Sequence, residues 1–140
     1  MFQDDAFRGL DRQECLRLLA KVTVGRVVYT RQALPAVLPV NFSLDTDTSV
    51  VLSTSAGSDL VRAIDGVVVA FEADDFTAST RSGWSVVVTG RATVVTDPDE
   101  HERLVQTGPR SWMPLGDAVF VRIESEMVTG RELRGMVGMQ

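Results

Sequence analysis

One segment constrains the fold more than any other, because from Trp84 onward one side-chain parity is apolar or small throughout and the other is mixed. The apolar and small residues share one parity: Trp84, Val86, Val88, Gly90, Ala92 and Val94. The other parity mixes Ser, Thr, Arg and Val. Successive side chains of a β-strand point to opposite faces of a sheet. The alternation therefore predicts a strand over Trp84–Thr96 with one core face, and a second face that meets solvent, a ligand or another subunit.

A Val-Gly-Arg motif recurs in three apolar segments. VTGR occupies Val88–Arg91 and Val128–Arg131, and a shorter VGR occupies Val24–Arg26. Glycine inside a strand is unfavourable unless a bend, a bulge or a close approach requires it. We predict that Gly90 and Gly130 lie in the curved strands of a barrel, with the following arginines turned outward. The repeat is interpreted as shared geometry, not as a duplicated function.

Other segments predict the remaining elements. Strand-like segments rich in β-branched residues are Gly25–Arg31, Leu34–Asp45, Ser49–Ser55, Gly66–Asp74, Ala118–Glu124 and Met127–Leu133. Helix signals mark Leu10–Ala20, Gly57–Ile64 and Pro98–Gln106, with Asp11, Ser58 and Asp97 as the predicted N-caps. The helices do not alternate regularly with the strands, which excludes a parallel α/β sheet. Many short valine-rich strands joined by turns favour an antiparallel barrel.

Length and charge limit the class of protein. A chain of 140 residues predicts a single domain, residues 1–140. The net charge of −5 and the pI of about 4.8 argue against a nucleic-acid binder, which needs a cationic face. The first residues lack the basic and apolar regions of a secretory signal, and no apolar run reaches the ~18 residues of a membrane helix. We expect a cytoplasmic protein that does not bind membranes.

Several common chemistries lack the residues they need. One histidine, His101, and one cysteine, Cys15, cannot form a zinc site of the usual nitrogen and sulfur ligands. The sequence has no Walker loop and no GxGxxG motif. Adjacent carboxylates such as Asp74 and Asp75 follow a predicted strand, where solvated turn residues are expected. Any redox chemistry would therefore depend on a bound organic cofactor.

One polar segment suits an anion. Hydroxyls and a glycine lie between a predicted strand and a predicted helix, at Ser53, Thr54, Ser55, Gly57 and Ser58. Such groups can bind a phosphate. They also make an ordinary turn that caps the helix, and the residues alone leave both interpretations open.

The order of these segments resembles a known family. GRVVYTR, LPAVLPVNF, VVLSTSAGSDL, VVVAFEADD and RSGWSVVVTGRATVV follow one another as in the pyridoxamine 5′-phosphate oxidase-like FMN-binding split-barrel proteins. The resemblance extends from about Leu10 to Leu133 and is strongest to the small single-domain branch with nitroimidazole-resistance-type proteins. It implies a mainly β fold with short helices, an antiparallel six-stranded split β-barrel. It also implies a homodimer with two FMN sites at the subunit interface, with a deazaflavin as the alternative cofactor.

The resemblance also implies which residues bind the cofactor. They lie in a strand beside the flavin ring, a strand leading to the phosphate, a phosphate loop, and two segments lining the pocket. By segment they are Pro39, Val40, Asn41 and Phe42; Leu52, Ser53, Thr54 and Ser55; Gly57, Ser58 and Leu60; Trp84 and Ser85; and Trp112. No catalytic residue or metal ligand is predicted.

One position departs from the family pattern. Asp59 stands in the phosphate loop where relatives commonly have a basic residue, and a carboxylate would repel a phosphate. Arg81, Arg62 and Arg26 are the candidate replacements for the missing positive charge, since a guanidinium binds phosphate well.

Two functions are compatible with these observations. The first is a flavin-dependent oxidoreductase that reduces or oxidises a small molecule. The second is a non-catalytic module that binds or stores a flavin, a deazaflavin or another flat ligand.

Overall fold

The computed structural model of the chain describes residues 7–112 and 117–135. Its helices are α1 Arg12–Leu19, α2 Asp59–Ile64 and α3 Pro98–Thr107. Its strands are β1 Phe7–Leu10, β2 Val24–Arg31, β3 Leu34–Leu44, β4 Val50–Ser55, β5 Val68–Thr77, β6 Ser82–Val94, β7 Ala118–Ile123 and β8 Met127–Leu133. Most bounds lie close to the predicted ones. One exception is β1, which was not predicted because its four residues do not alternate in polarity. The other is β5, which does not end at Asp74 as predicted: Asp74 and Asp75 are ladder residues within it and not turn residues.

Six strands close into an antiparallel barrel in the order β6-β5-β2-β3-β4-β7, with β7 returning to β6. The closing pairs run from Ala92 opposite Ile123 to Val94 opposite Val121. The amino-terminal half of β6 pairs instead with β8, and β8 pairs with β1. Strand β6 is thus shared between the barrel and a side sheet. The predicted fold, a six-stranded antiparallel split barrel that is mainly β with short helices, is confirmed.

The barrel core follows the predicted parity of β6. Trp84, Val86 and Val88 are buried, and Ser85 and Val87 between them are half-exposed. Phe71 of β5 is fully buried and meets Phe42 of β3 edge-on, with ring centroids 4.7 Å apart. Burial of such aliphatic and aromatic side chains supplies most of the stabilisation of a domain this size.

Local capping explains where the helices begin. Asp11 accepts the backbone N–H of Glu14, and the Glu14 carboxylate accepts the N–H of Asp11, a complete capping box. Ser58 caps α2 and Asp97 caps α3, as predicted. Among residues 7–112 and 117–135, no helix combines the length and apolar character that crossing a bilayer requires.

The glycines of the repeated motif allow the close approach of neighbouring atoms. Gly90 lies in a barrel strand as predicted, whereas Gly130 lies in β8 of the side sheet and not in the barrel. A Cβ at Gly90 would lie 1.7 Å from the carbonyl oxygen of Glu124. A Cβ at Gly130 would lie 2.7 Å from the sulfur of Cys15 in α1. The repeat therefore places glycine at positions where a neighbouring atom, different in each case, leaves no room for a Cβ. The arginines that follow, Arg91 and Arg131, are exposed as predicted.

Candidate functional site

Polar residues of β3 and β4 meet on the outer face of the barrel. Asn41 lies directly opposite Ser53 in the β3–β4 ladder and opposite Val24 in the β2–β3 ladder. Val40 and Phe42, on either side of Asn41, are buried in the barrel core. Because strand residues alternate between faces, the Asn41 and Ser53 side chains belong to the outer face, where Asn41 is half-buried and Ser53 is only 8% exposed.

Trp112 lies against this outer face. Its backbone N–H donates to Oδ1 of Asn41 at 3.1 Å, and its side chain is 74% exposed. An open cavity of about 430 Å³ separates it from β2 and β5, with Val24, Arg26 and Asp74 in the lining. The predicted residues Asn41, Ser53 and Trp112 therefore come together, although they are far apart in the sequence.

Several predicted binding residues face the core instead of the outer surface. They are Val40, Phe42, Leu52 and Leu60. Their side chains hold β3, β4 and α2 in place, so they shape the outer face from beneath. Pro39 is exposed on the same strand and pairs with Arg26 across the β2–β3 ladder.

The remaining predicted residues on β6 lie apart from Asn41. Trp84 is 8% exposed and packs in the core cluster, whereas Ser85 is on the opposite parity of β6. Ser85 pairs with Asp74 of β5, which also lines the cavity beside Trp112. Arg81 lies in the turn before β6 with a φ of 53° and is exposed. The structure places Arg81 in the β5–β6 turn, whereas the predicted phosphate loop follows β4.

The turn from β4 to α2 shows ordinary capping contacts. The Ser58 hydroxyl accepts the N–H of Leu60 at 3.0 Å, and the N–H of Ser58 donates to the carbonyl of Ser55 at 3.1 Å. Thr54 is half-exposed, and Ser55 and Gly57 are exposed. A Cβ at Gly57 would meet no atom within 4 Å, so the turn leaves open space above this residue.

Asp59 is flanked by two arginines. Oδ2 of Asp59 contacts Nη2 of Arg31 at 2.8 Å, and Oδ1 contacts Nη2 of Arg62 one helical turn later. Arg62 was one of the predicted replacements for the missing positive charge, and Arg31 was missed. Arg31 ends β2, far from Asp59 in sequence, and only the packing of α2 against β2 brings the two together.

Glu72 and Asp74 form a pair of neighbouring carboxylates on the outer face, which was not predicted from the sequence. Nη1 of Arg26 contacts Glu72 at 3.2 Å and Asp74 at 3.5 Å. Arg26 was the third predicted replacement for the missing positive charge, and it is thus already paired with carboxylates of its own chain. Burial, followed by the neighbouring Asp74 carboxylate, raises the pKa of Glu72 to about 7. The strand pattern alone gave no sign that a carboxylate here would be partly buried.

A charged network joins elements on another part of the barrel. Both oxygens of Asp45 accept from Arg103 of α3, at 3.1 and 2.9 Å, and Oδ2 also accepts from Arg122 of β7 at 2.8 Å. These guanidinium groups hold the pKa of Asp45 far below its usual range despite burial. Arg122 also contacts Glu100 and Asp47, at 2.8 and 3.3 Å. The network joins charges that satisfy one another, and we interpret it as structural.

Comparison with known proteins places the barrel in a family. Residues 11–132 match the model of the family described as pyridoxamine 5′-phosphate oxidase. This chain belongs to that family. An uncharacterized protein of Mycobacterium tuberculosis, Rv0080, is 46% identical, in a match that covers 86% of this chain and 82% of the relative.

Solved structures of two FAD-binding proteins share the architecture. The FAD binding protein from Mycobacterium smegmatis is 32% identical with a TM-score of 0.72, and the match covers 92% of this chain and all of that one (100%). A FAD-binding protein from Mesorhizobium loti is 26% identical with a TM-score of 0.73, covering 90% of this chain and 97% of that one. The predicted resemblance to this family is confirmed.

Proposed function

We propose that this chain binds a flavin nucleotide on the outer face around Asn41 and Ser53 and uses it as an oxidoreductase. The observation that carries the proposal is the register that sets Asn41 opposite Ser53 beside the exposed Trp112. Membership of the family and the FAD-binding relatives support the same cofactor class. The family resemblance favours FMN, the relatives favour FAD, and a deazaflavin is the next ligand to test.

The side chains present fit a flavin. A flavin ring has hydrogen-bonding groups along one edge and a flat apolar body. The Asn41 amide offers both donor and acceptor atoms, and its Oδ1 accepts from the backbone N–H of Trp112. The Ser53 hydroxyl offers a second polar group, and the Trp112 indole offers a flat surface for stacking.

In this proposal the cofactor carries out the redox chemistry and the protein side chains bind and orient it. Bound flavin supplies hydride or electron transfer. Asn41 and Ser53 would orient the ring by hydrogen bonds, and Trp112 would limit access of water to it. The small-molecule substrate would enter from the open side of the cavity beside Arg26 and Asp74.

We also propose that the chain is a homodimer that pairs through the outer sheet face. Ladder partners form one row across five strands, through Val37, Val28, Ala70, Thr89 and Met127. Val37 is 62% exposed and Met127 is 60% exposed. Four of these five side chains are apolar, with Thr89 as the exception, and a largely apolar row of this kind suits burial against a second copy. The cavity beside Trp112 borders this face, so a partner would help to enclose the cofactor.

The first experiment is a visible absorption spectrum of the purified protein after incubation with FMN or FAD and removal of the excess. We expect a retained flavin spectrum, and weaker retention by Asn41→Ala. Gln106→Ala is the matched amide control, because Gln106 is exposed on α3. A wild-type protein that stays colourless with both nucleotides would contradict the proposal.

One further measurement, the reduction of bound flavin, distinguishes the oxidoreductase from the alternative function, a non-catalytic binding module. If a nicotinamide donor reduces the bound flavin at a rate well above that of free flavin, the oxidoreductase is supported. If flavin is held tightly and is not reduced by any donor or substrate tested, the binding module is favoured.

A further inference from the structure

We infer that Arg31 and Arg62, held together by Asp59, bind the phosphoryl group of the flavin nucleotide. This inference rests on the proposed function. Asp59 occupies the position where a carboxylate was expected to repel phosphate. In the structure, however, each of its two oxygens contacts a different guanidinium, from Arg31 at 2.8 Å and from Arg62.

Charge favours an anion at this cluster. Two guanidinium groups and one carboxylate leave one net positive charge, in a chain whose net charge is −5. The guanidinium fork matches the oxygens of a phosphate and binds them by two parallel hydrogen bonds. The cluster therefore supplies the cation that the loop lacks at position 59.

Exposure leaves the arginines available. Side-chain exposure is 52% for Arg31, 68% for Arg62 and 50% for Asp59. Ion pairs this exposed contribute little to stability, so a phosphate dianion can take over part of their hydrogen bonds. An open cavity of about 490 Å³ adjoins the three side chains, with Thr30 and Gln32 as further polar lining.

Rigid elements position the two arginines. Leu60 and Ile64 are fully buried in the core and anchor α2, which fixes the exposed Asp59 and Arg62 on its opposite side. Arg31 is the last residue of β2, immediately before the turn residues Gln32 and Ala33. Both turn residues have positive φ, 52° and 67°, which glycine or asparagine would adopt more easily. Strained backbone of this kind is often retained at binding sites.

The test compares FMN with riboflavin, which has the same ring but no phosphate. Affinities of the wild type, Arg31→Gln, Arg62→Gln and the double variant are measured by quenching of flavin fluorescence. We expect the double variant to bind FMN about tenfold or more weakly, since charge-assisted hydrogen bonds are lost, while its affinity for riboflavin stays unchanged. Arg17→Gln, on the exposed side of α1, is the control and should change neither affinity.

Asp59→Asn provides an independent readout. If Asp59 positions the two arginines, this variant should bind FMN no better than the wild type. A clear gain in FMN affinity would show that Asp59 mainly repels phosphate, and would overturn its positioning role. Circular dichroism of each variant confirms that the fold is retained.

Other outcomes separate failure of the inference from failure of the proposed function. If the wild type prefers FMN to riboflavin and the double variant keeps that preference, the phosphoryl group binds elsewhere, and only the inference is overturned. If neither flavin binds the wild type, the proposed function fails and the inference fails with it. If inorganic phosphate alone raises the melting temperature while FMN and riboflavin bind equally, the cluster binds free phosphate, which also overturns the assignment.

Discussion

At the scale of single residues, the glycines of the repeated motif show how one short pattern can answer different steric demands. Gly90 faces the backbone of Glu124, Gly130 faces the sulfur of Cys15, and Gly25 faces the ring of Phe71, where a Cβ would lie 2.2 Å from Cζ. The atom nearest to the added Cβ belongs to the backbone only at Gly90, and backbone cannot move aside as a side chain can. At Gly25 and Gly130 a backbone carbonyl oxygen lies farther away, at 2.9 Å. We therefore expect the three positions to tolerate alanine to different degrees.

Gly90→Ala should be strongly destabilising, because its Cβ would lie 1.7 Å from the Glu124 carbonyl oxygen and the chain closing the barrel would have to shift. We expect a loss of about 3 kcal/mol or more in the free energy of unfolding, measured by urea denaturation. Gly9→Ala, where a Cβ meets no atom within 4 Å, is the control and should change stability by less than about 0.5 kcal/mol. Equal stability of the two variants would contradict this explanation of the motif.

Glu72 should give the stability a pH dependence of unusual sign. Its pKa is raised to about 7 in the folded chain from an unfolded value of 4.5, so the folded state holds the proton more tightly. The stabilisation from this proton is complete below about pH 4.5 and is lost as the pH rises through about 7. Glu72→Gln, which mimics the protonated form, should become more stable relative to the wild type between pH 5 and pH 8.

Thermal melts at fixed protein concentration across that range provide the measurement. Glu102→Gln, on the exposed side of α3, is the matched control and should track the wild type. If the difference between Glu72→Gln and the wild type does not change with pH, Glu72 does not titrate in this range.

At the scale of elements, α3 is attached to the barrel by charge as well as by apolar contact. Leu104 packs against Val51 and Phe120 in a small cluster outside the main core. Beside it, Asp45 links Arg103 of α3 to Arg122 of β7, and the Asp45 side chain is only 8% exposed. A carboxylate so buried and so well paired fixes the position of α3 relative to β7.

Asp45→Ala should cost about 3 kcal/mol of unfolding free energy, because it leaves Arg122 partly buried without its best partner. This value is at the low end for a buried pair, since Arg122 keeps Glu100 and Asp47. Glu102→Ala on the same helix should change stability by less than about 0.5 kcal/mol. Urea denaturation measures both values.

Asp45 should also make the fold less stable in acid. The pKa of Asp45 is lowered in the folded chain, so its stabilisation is present above the unfolded value of 3.8 and is lost as the pH falls below it. Asp45→Asn should therefore flatten the loss of stability on the acid side. If the wild type and Asp45→Asn lose stability equally as the pH falls, the role given to this network is contradicted.

The elements also show what the sequence could predict. The alternation from Trp84, the caps Asp11, Ser58 and Asp97, and most strand bounds are local signals, and the structure confirms them. Strand β1 was not predicted, because only its pairing with β8 defines it. The contact of Arg31 with Asp59 and the burial of Glu72 were also missed, since both depend on packing between segments distant in the sequence. The predicted roles of individual residues in flavin binding stay predictions.

At the scale of the whole molecule, one face of the sheet is suited to a second copy of the chain. The row from Val37 to Met127 presents four apolar side chains and Thr89 across five neighbouring strands. Arg26 and Glu72 form a ladder pair in the adjacent row, so charges on this face are already partly neutralised within one chain. Pairing of two such faces would bury the apolar row with little unpaired charge.

Val37→Asp should convert a homodimer to a monomer in sedimentation velocity, because it places an unpaired carboxylate at one end of this row, where the paired faces would bury it. The fold should be retained, since Val37 is 62% exposed in the single chain. Val105→Asp on α3, where the valine is 54% exposed, is the control and should remain dimeric. A Val37→Asp variant with unchanged sedimentation would exclude this face as the interface.

Strand β6 ties the barrel and the side sheet to a single register. It pairs with β5 along most of its length, with β8 from Gly83 to Thr89, and with β7 from Ala92 to Val94. Deleting one residue of β6 between Thr89 and Ala92 would shift the register by one. If the part of β6 that pairs with β8 kept its orientation, the side chains of the part that pairs with β7 would then point to the opposite face of the sheet. Length changes compatible with this fold should therefore remove or add residues in pairs within β6, or fall in the turn Ala78–Arg81.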